Sequence, residues 1–194
     1  FSNQFLAGEA YPRWLSALNR GAGSPVFFFY APLPFYVLAL VRALLPADTH
    51  ILTVLACGEW LLLLASGLAM LALARRLTSR WPAVAAAVVY MLLPYHFEMD
   101  LWHRQALGEF AAFAFLPLVF LFAGEAGRSR RGVVGLALAW ACLVLAHLPS
   151  ALLMSLALVV YMVARSISRR SMAGLPSFAA GIGLGLGLAA IYLL

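Results

Sequence analysis

Apolar positions along the chain come in long unbroken runs, not in the alternating or half-and-half patterns of a soluble domain. Seven runs stand out: 33–45, Ile51–Ala74, 82–95, 110–123, 133–148, 151–164 and 173–194. Runs of this kind predict helices that bury their apolar surface on all sides. Crossing ~30 Å of hydrocarbon at ~1.5 Å per residue takes ~20 residues. Several runs are nearer fifteen, so flanking residues must contribute or the helices must locally thin the bilayer. The expectation is an all-α, polytopic integral membrane protein with about six transmembrane helices, accompanied by amphipathic helices on the outer surface.

Composition agrees with the pattern. Of 194 residues, 65% are hydrophobic and 10% charged, too thin a polar shell for a soluble domain of this length. The runs recur to the last residue, so a cleaved leader does not explain them. The sequence starts at Phe1 and its final run stops at Leu194 with no polar tail, which suggests a piece of a longer protein, truncated at both ends. Cys57 and Cys142 both lie inside apolar runs and lack metal-site spacing, so neither a disulfide nor a zinc site is expected.

Charge supplies the orientation. The net charge of +6 comes from thirteen Arg and no Lys. Nine of the thirteen fall in RRLTSR (75–80), RSRR (128–131) and RSISRR (165–170), at every second connection between runs. Three basic loops on one side are the positive-inside pattern, which removes the need for a nucleic-acid partner. The remaining connections, 46–50, 95–109 and 147–150, carry Asp48, Glu98, Asp100, Glu109 and all four His (His50, His96, His103 and His147). Titratable groups other than Arg therefore gather at the outer face.

The entry to the first run, NRGAGSPVFFFYAPLPFY (19–36), is Gly-rich, aromatic and broken by Pro. Rings with water on one side and lipid on the other suit an interface. The segment 33–45 is short, begins with Pro32 and Pro34 and contains Arg42, so a helix lying on the outer surface is preferred to an ordinary first span. This divides the chain into an outer-face region, 1–46, and a transmembrane bundle, 47–194. The stretch GIGLGLG (181–187) follows no strand, and its small residues one turn apart point to close helix packing.

Candidate chemistry concentrates in YHFEMDLWHRQALGEF (95–110). On an α-helix from Tyr95, His96, Asp100, His103 and Arg104 share one face, and Glu98, Trp102, Gln105 and Glu109 another. Asp100 and Arg104 are spaced for an i,i+4 ion pair. An Asp between two His could hold a divalent metal, though three ligands from one helix rarely complete a shell, and no specific metal site is assigned. Glu59, inside the run Ile51–Ala74, is a candidate intramembrane acid with Arg42 as one possible partner. His147, in AHLPS, is either a helix-end cap or a functional group. There is no GxSxG, Walker or HExxH motif, so a lipid-linked donor is more plausible than a cytosolic nucleotide.

Three stretches carry a family resemblance. They are GEAYPRWLSALNRGAGSPVFFFYAPLPFYVLALV, LLASGLAMLALARRLTSRWPAVAAAVVYMLLPYHFEMDLWHRQALGEFAAFAFLPLVFL, and LAHLPSALL. Together they resemble the bacterial membrane proteins labelled "6-pyruvoyl-tetrahydropterin synthase-related", which look like members of the GT-C glycosyltransferase superfamily. Nothing here resembles the soluble zinc-dependent pterin synthase of that label. The resemblance implies a multi-pass protein of the bacterial inner membrane. It would transfer a sugar from a polyprenyl-phosphate-linked donor to an acceptor at the extracytoplasmic face, with the bilayer and the lipid-linked sugar as partners. APLPFY matches the superfamily's Pro-Leu-aromatic surface helix. RQALGE resembles the family's R-G-A-L-A-E, with Gln105 standing where Gly is usual. The resemblance implies catalytic roles for Asp100, Glu98 and Glu109. Substrate binding falls to Arg104, Arg13, His103, His147 and Tyr11. The superfamily's main catalytic Asp would lie upstream of Phe1, so the sequence as it stands is expected to be inactive alone. The alternatives are a membrane transporter or flippase, and a non-catalytic scaffold for envelope assembly.

Overall fold

The computed structural model describes residues 1–194. It is all-helical. The elements are α1 (Ser2–Leu6), α2 (Leu33–Leu44), α3 (Ile51–Ala74), α4 (Arg80–Met91), a π-helix (Tyr95–His103), α5 (Leu107–Ala112), α6 (Leu116–Ala126), α7 (Arg130–Ala146), α8 (Leu148–Arg169), α9 (Leu175–Leu188) and α10 (Ala190–Leu193).

Four helical segments are long and apolar enough to cross a membrane: Ile51–Ala74, Arg80–His103, Leu107–Ala126 and Leu148–Arg169. The runs led us to expect about six. The two that fall short are α7, with 17 residues, and α9, with 14. α2 has 12 residues and reaches only ~18 Å, well under the thickness of the hydrocarbon.

α7 forms the centre of the bundle, packed chiefly on α6 and α9. Leu136, Trp140, Leu143 and Val144 are buried there against Phe110, Val119 and Ala123. Alanines fill much of the remaining core, and small side chains let helices approach closely where the solvent is lipid. Gly181 and Gly185 face α7. A Cβ at Gly185 would stand 2.7 Å from the Ala137 carbonyl oxygen. Gly183 and Gly187 face open space, so only one of the two small-residue pairs makes the close packing expected of both.

α8 shows how the bundle meets its surroundings. Ala151, Met154, Leu158 and Met162 form a buried stripe at i+3 and i+4. Leu152, Leu153, Leu156, Val160 and Val163 on the other side are exposed. A helix apolar on its outer face as well as its inner one has lipid as its solvent. Where α5 gives way to α6, the phenol of Tyr90 donates to the carbonyl of Phe113 at 2.9 Å. That bond satisfies a backbone group which a bilayer would leave stranded.

Arg42 does not reach Glu59. Its guanidinium donates to the carbonyls of Pro46, at 3.0 Å, and Ala47, closing the loop after α2. Glu59 instead borders a small groove with Trp60, Phe97 and Trp102. His50 caps α3, its Nδ1 accepting from Leu52 N–H at 3.3 Å.

Candidate active site at the Arg-poor end

Helix direction sets the basic loops 75–80, 128–131 and 165–170 at one end of the bundle and residues 95–109 and 147–150 at the other. The Arg-poor end is built around the π-helix. Pro94 precedes it, and its bonds run from i to i+5, a geometry concentrated at functional sites. Beyond Arg104 the chain turns at Gln105, whose φ of 50° lies in the left-handed region that favours glycine. α5 then starts at Leu107, which puts Glu109 in its first turn.

This turn brings four side chains together. Arg104 Nη1 donates to Asp100 Oδ1 at 3.2 Å, Glu109 Oε2 at 2.8 Å and Tyr95 Oη at 2.9 Å. Tyr95 donates in turn to Glu109 Oε1 at 2.8 Å. All three guanidinium contacts use one terminal nitrogen, so Nη2 and Nε have no protein partner. Asp100 is 1% exposed, and its Oδ2 has no hydrogen-bond partner. The positive neighbour at Arg104 offsets part of the cost of enclosing this carboxylate.

Arg104 and Glu109 open on a cavity of about 470 Å³. Its lining includes Gly108, Ala146 and His147, and Phe29, Tyr30 and Phe35 form an aromatic edge that partly roofs it. The aromatic roof is held in place by packing and by backbone bonds. Phe27 lies edge-on to Phe1 and Phe35, each with centroids 4.7 Å apart. Tyr36 donates to the Ala10 carbonyl at 2.6 Å and Tyr192 to the Phe29 carbonyl at 3.2 Å. His147 Nδ1 is 2.8 Å from Ser150 Oγ. Burial pushes the His147 imidazole below its ordinary value, with Glu109 pulling it up and Arg104 down. The shift favours the neutral imidazole. Arg104 is held above its ordinary value, first by the charge of Glu109 and then by its hydrogen bond to that residue.

A family model described as "6-pyruvoyl-tetrahydropterin synthase related domain", a membrane protein, matches residues 27–194. The chain belongs to this family. Comparison with curated proteins and with solved structures returned no match. In this 6-pyruvoyl-tetrahydropterin synthase related chain the matched region takes in the whole cluster, His147 and most of the roof, and leaves out Tyr11 and Arg13.

The expected site residues divide clearly. Arg104, Glu109 and His147 line the cavity. Asp100 stands behind Arg104 and bonds to it. Glu98 and His103 are exposed, His103 facing the Glu98 carbonyl at 3.2 Å, and neither lines the cavity. Arg13 lies over the rings of Tyr11 and Phe28 and donates to the Ile191 carbonyl. Tyr11 donates to the Phe27 carbonyl at 2.8 Å. Both therefore brace the roof.

The single face holding His96, Asp100, His103 and Arg104 does not form. In a π-helix residues four and five apart align, while residues seven apart do not. His96 packs face to face on Phe113, ring centroids 4.1 Å apart, and no group of three His, Cys, Asp or Glu converges as a metal site would require. Tyr95 and Tyr192 are the site residues that sequence reasoning missed. An i,i+9 contact falls on opposite faces of an α-helix, so a 3.6-residue period hides it, and Tyr192 sits at the end of a run that reads as plain membrane helix.

Proposed function

We propose that the chain is part of a GT-C-like membrane glycosyltransferase of the bacterial inner membrane. It acts at the extracytoplasmic face, on a polyprenyl-phosphate-linked sugar. The observation that carries this reading is the Arg104–Asp100–Glu109–Tyr95 cluster opening on a roofed cavity at the end opposite the arginine-rich loops. The positive-inside rule makes that end the outer one, and residues 1–46 then form an outer-face region over the bundle. Amphipathic rings in the roof suit the boundary where a lipid-borne sugar would present itself.

Each group has a role that its contacts favour. Glu109 lines the cavity and is the candidate to orient or deprotonate an acceptor hydroxyl. Arg104 keeps Nη2 and Nε for a donor phosphate, which a planar guanidinium meets well. Asp100 is a positioning residue that fixes Arg104. His147, with Nδ1 taken by Ser150, has Nε2 left to hydrogen-bond a sugar hydroxyl, as donor or acceptor according to the tautomer.

The test is turnover. Membranes containing the protein are incubated with polyprenyl-phosphate-linked radiolabelled sugars, and label leaving the lipid fraction is followed. Transfer that depends on Glu109 and Arg104 supports the reading. If no such donor is turned over, and polyprenyl phosphate raises the Tm no more than the neutral polyprenol does, the reading fails.

A further inference from the structure

At the Arg-rich end, α8 and α9 diverge. The space between them is an apolar cleft of about 510 Å³, walled by Val159, Val163 and Ile167 on one side and Leu175 and Phe178 on the other. Val159 to Arg170 rises ~16 Å along the helix, so the slot is long enough to take much of an acyl chain. At its mouth the cleft runs into a smaller polar hollow of about 180 Å³ bordered by Arg165, Arg169 and Ser171. Met162, Ser166, Ser171 and Leu175 line both, so the two spaces adjoin.

The rim carries charge without a counter-charge. The ion pairs of the protein are Arg76–Glu125, Arg104–Asp100 and Arg104–Glu109. Glu125, the one acid at this end, is held by Arg76 at 2.7 Å. Arg165 is occupied with the Gly124 carbonyl at 2.8 Å and the Tyr161 hydroxyl at 3.1 Å, so it fixes the wall. Arg169 and Arg170 make no side-chain hydrogen bond or ion pair and stay exposed at the mouth. Arg170 ends α8 at a φ of 48°. Its N–H donates to the Ile167 carbonyl at 3.1 Å and that of Ser171 to the Ser166 carbonyl at 3.2 Å, which turns the chain across the mouth.

We propose that this cleft binds an anionic glycerophospholipid, with an acyl chain along Val163 and Ile167 and the phosphate against Arg169 and Arg170. A basic pocket between membrane helices has the chemistry such head groups recognise. A free phosphate would gain nothing from the apolar slot. A second copy of the chain would bring a like-charged rim to this one, which disfavours it as the occupant.

The test is native mass spectrometry of the full chain in detergent, titrated with phosphatidylglycerol and with phosphatidylcholine of the same acyl chains. We expect phosphatidylglycerol to be retained about tenfold better, since each arginine near a head group contributes a several-fold preference. Arg169→Gln with Arg170→Gln brings the two lipids within about twofold. Val163→Trp, which fills the slot, lowers retention of both. Arg130→Gln with Arg131→Gln removes the same charge at the same end and leaves the preference intact. Thermal unfolding of each variant confirms that it is folded. Equal retention of the two lipids by the parent overturns the proposal. So does an equal loss in the Arg130/Arg131 pair, which would show diffuse surface charge. Displacement of phosphatidylglycerol by millimolar inorganic phosphate would show a simple anion site and overturn it too.

Discussion

The two ends of the bundle use the same cation in opposite ways. At the Arg-poor end, Arg104 is held by two carboxylates and a phenol, above a buried acid and beneath an aromatic roof. At the other end nine arginines share one acid, and the Arg76–Glu125 pair is well exposed on the arginine side, at 65%. Charge alone does not separate these roles. The supporting backbone does, since a wide helical turn followed by a left-handed residue fixes Arg104, whereas the basic loops leave all but Arg165 of their arginines exposed. Exposed charges of that kind add little to stability, although they are enough to set orientation.

The comparison breaks most readily at Glu109. Under the proposed function, Glu109→Gln removes the charge that Arg104 and Tyr95 both address. Sugar transfer should fall about 100-fold or more. Arg130→Gln with Arg131→Gln at the opposite end should stay within about twofold in the same membrane assay, given that such surface changes are nearly neutral. Similar losses in both would mean the ends do not differ in function.

A second expectation concerns pH. The folded His147 imidazole lies below its ordinary value of 6.5, so the unfolded chain takes up the proton first as pH falls through that value. The stability His147 contributes is fully present above 6.5 and declines below it, until the folded imidazole protonates as well. A Tm series from about pH 7 to about pH 5 should fall for the parent protein, and less steeply for His147→Asn. Parallel curves would remove His147 from the account.

A third test asks what holds the two ends at a fixed separation. Gly185→Val should cost about 1–3 kcal/mol, because the added carbon meets the backbone of α7. Gly183→Ala, at a helical position that faces open space, should instead stabilise by up to about 1 kcal/mol. Chemical unfolding in mixed micelles measures both. The smallest effect is expected at Gln105. Replacing it with Gly relieves the left-handed strain and costs some unfolded-state entropy, for a net gain of about 0.5 kcal/mol. A loss of stability there would show that the bond from its side chain to the Leu101 carbonyl outweighs the strain.

Much of this architecture was legible in the sequence. The apolar runs marked the helices, and PLPFY opens α2 where the pattern suggested. The i,i+4 spacing of Asp100 and Arg104 gave a pair that the structure contains at 3.2 Å. What stayed hidden depends on backbone geometry that periodicity assumes in advance. A 3.6-residue period put His103 beside Asp100, and the wider turn moves it away. Arg42 looked like a counter-ion for Glu59, yet unsatisfied loop carbonyls lay nearer. The number of crossings is also obscured. α7 is wrapped by its neighbours, so it reads as a span by composition while remaining short in length.

The π-helix also bears on how this stretch tolerates change over evolutionary time. An element that hydrogen-bonds five residues back is closely related to an α-helix with fewer residues in the same span. Exchanging the exposed Glu98 or Met99 for another side chain leaves that residue count untouched. Deleting either one offers the backbone an ordinary α-helical register over that span, in which Tyr95 and Arg104, then eight residues apart, stand about 80° apart around the axis and lose their contact. The segment is thus sensitive to insertion and deletion more than to substitution. A library of point variants would underrate it, and a ladder of single-residue deletions across Tyr95–His103 would locate the positions at which the cluster comes apart.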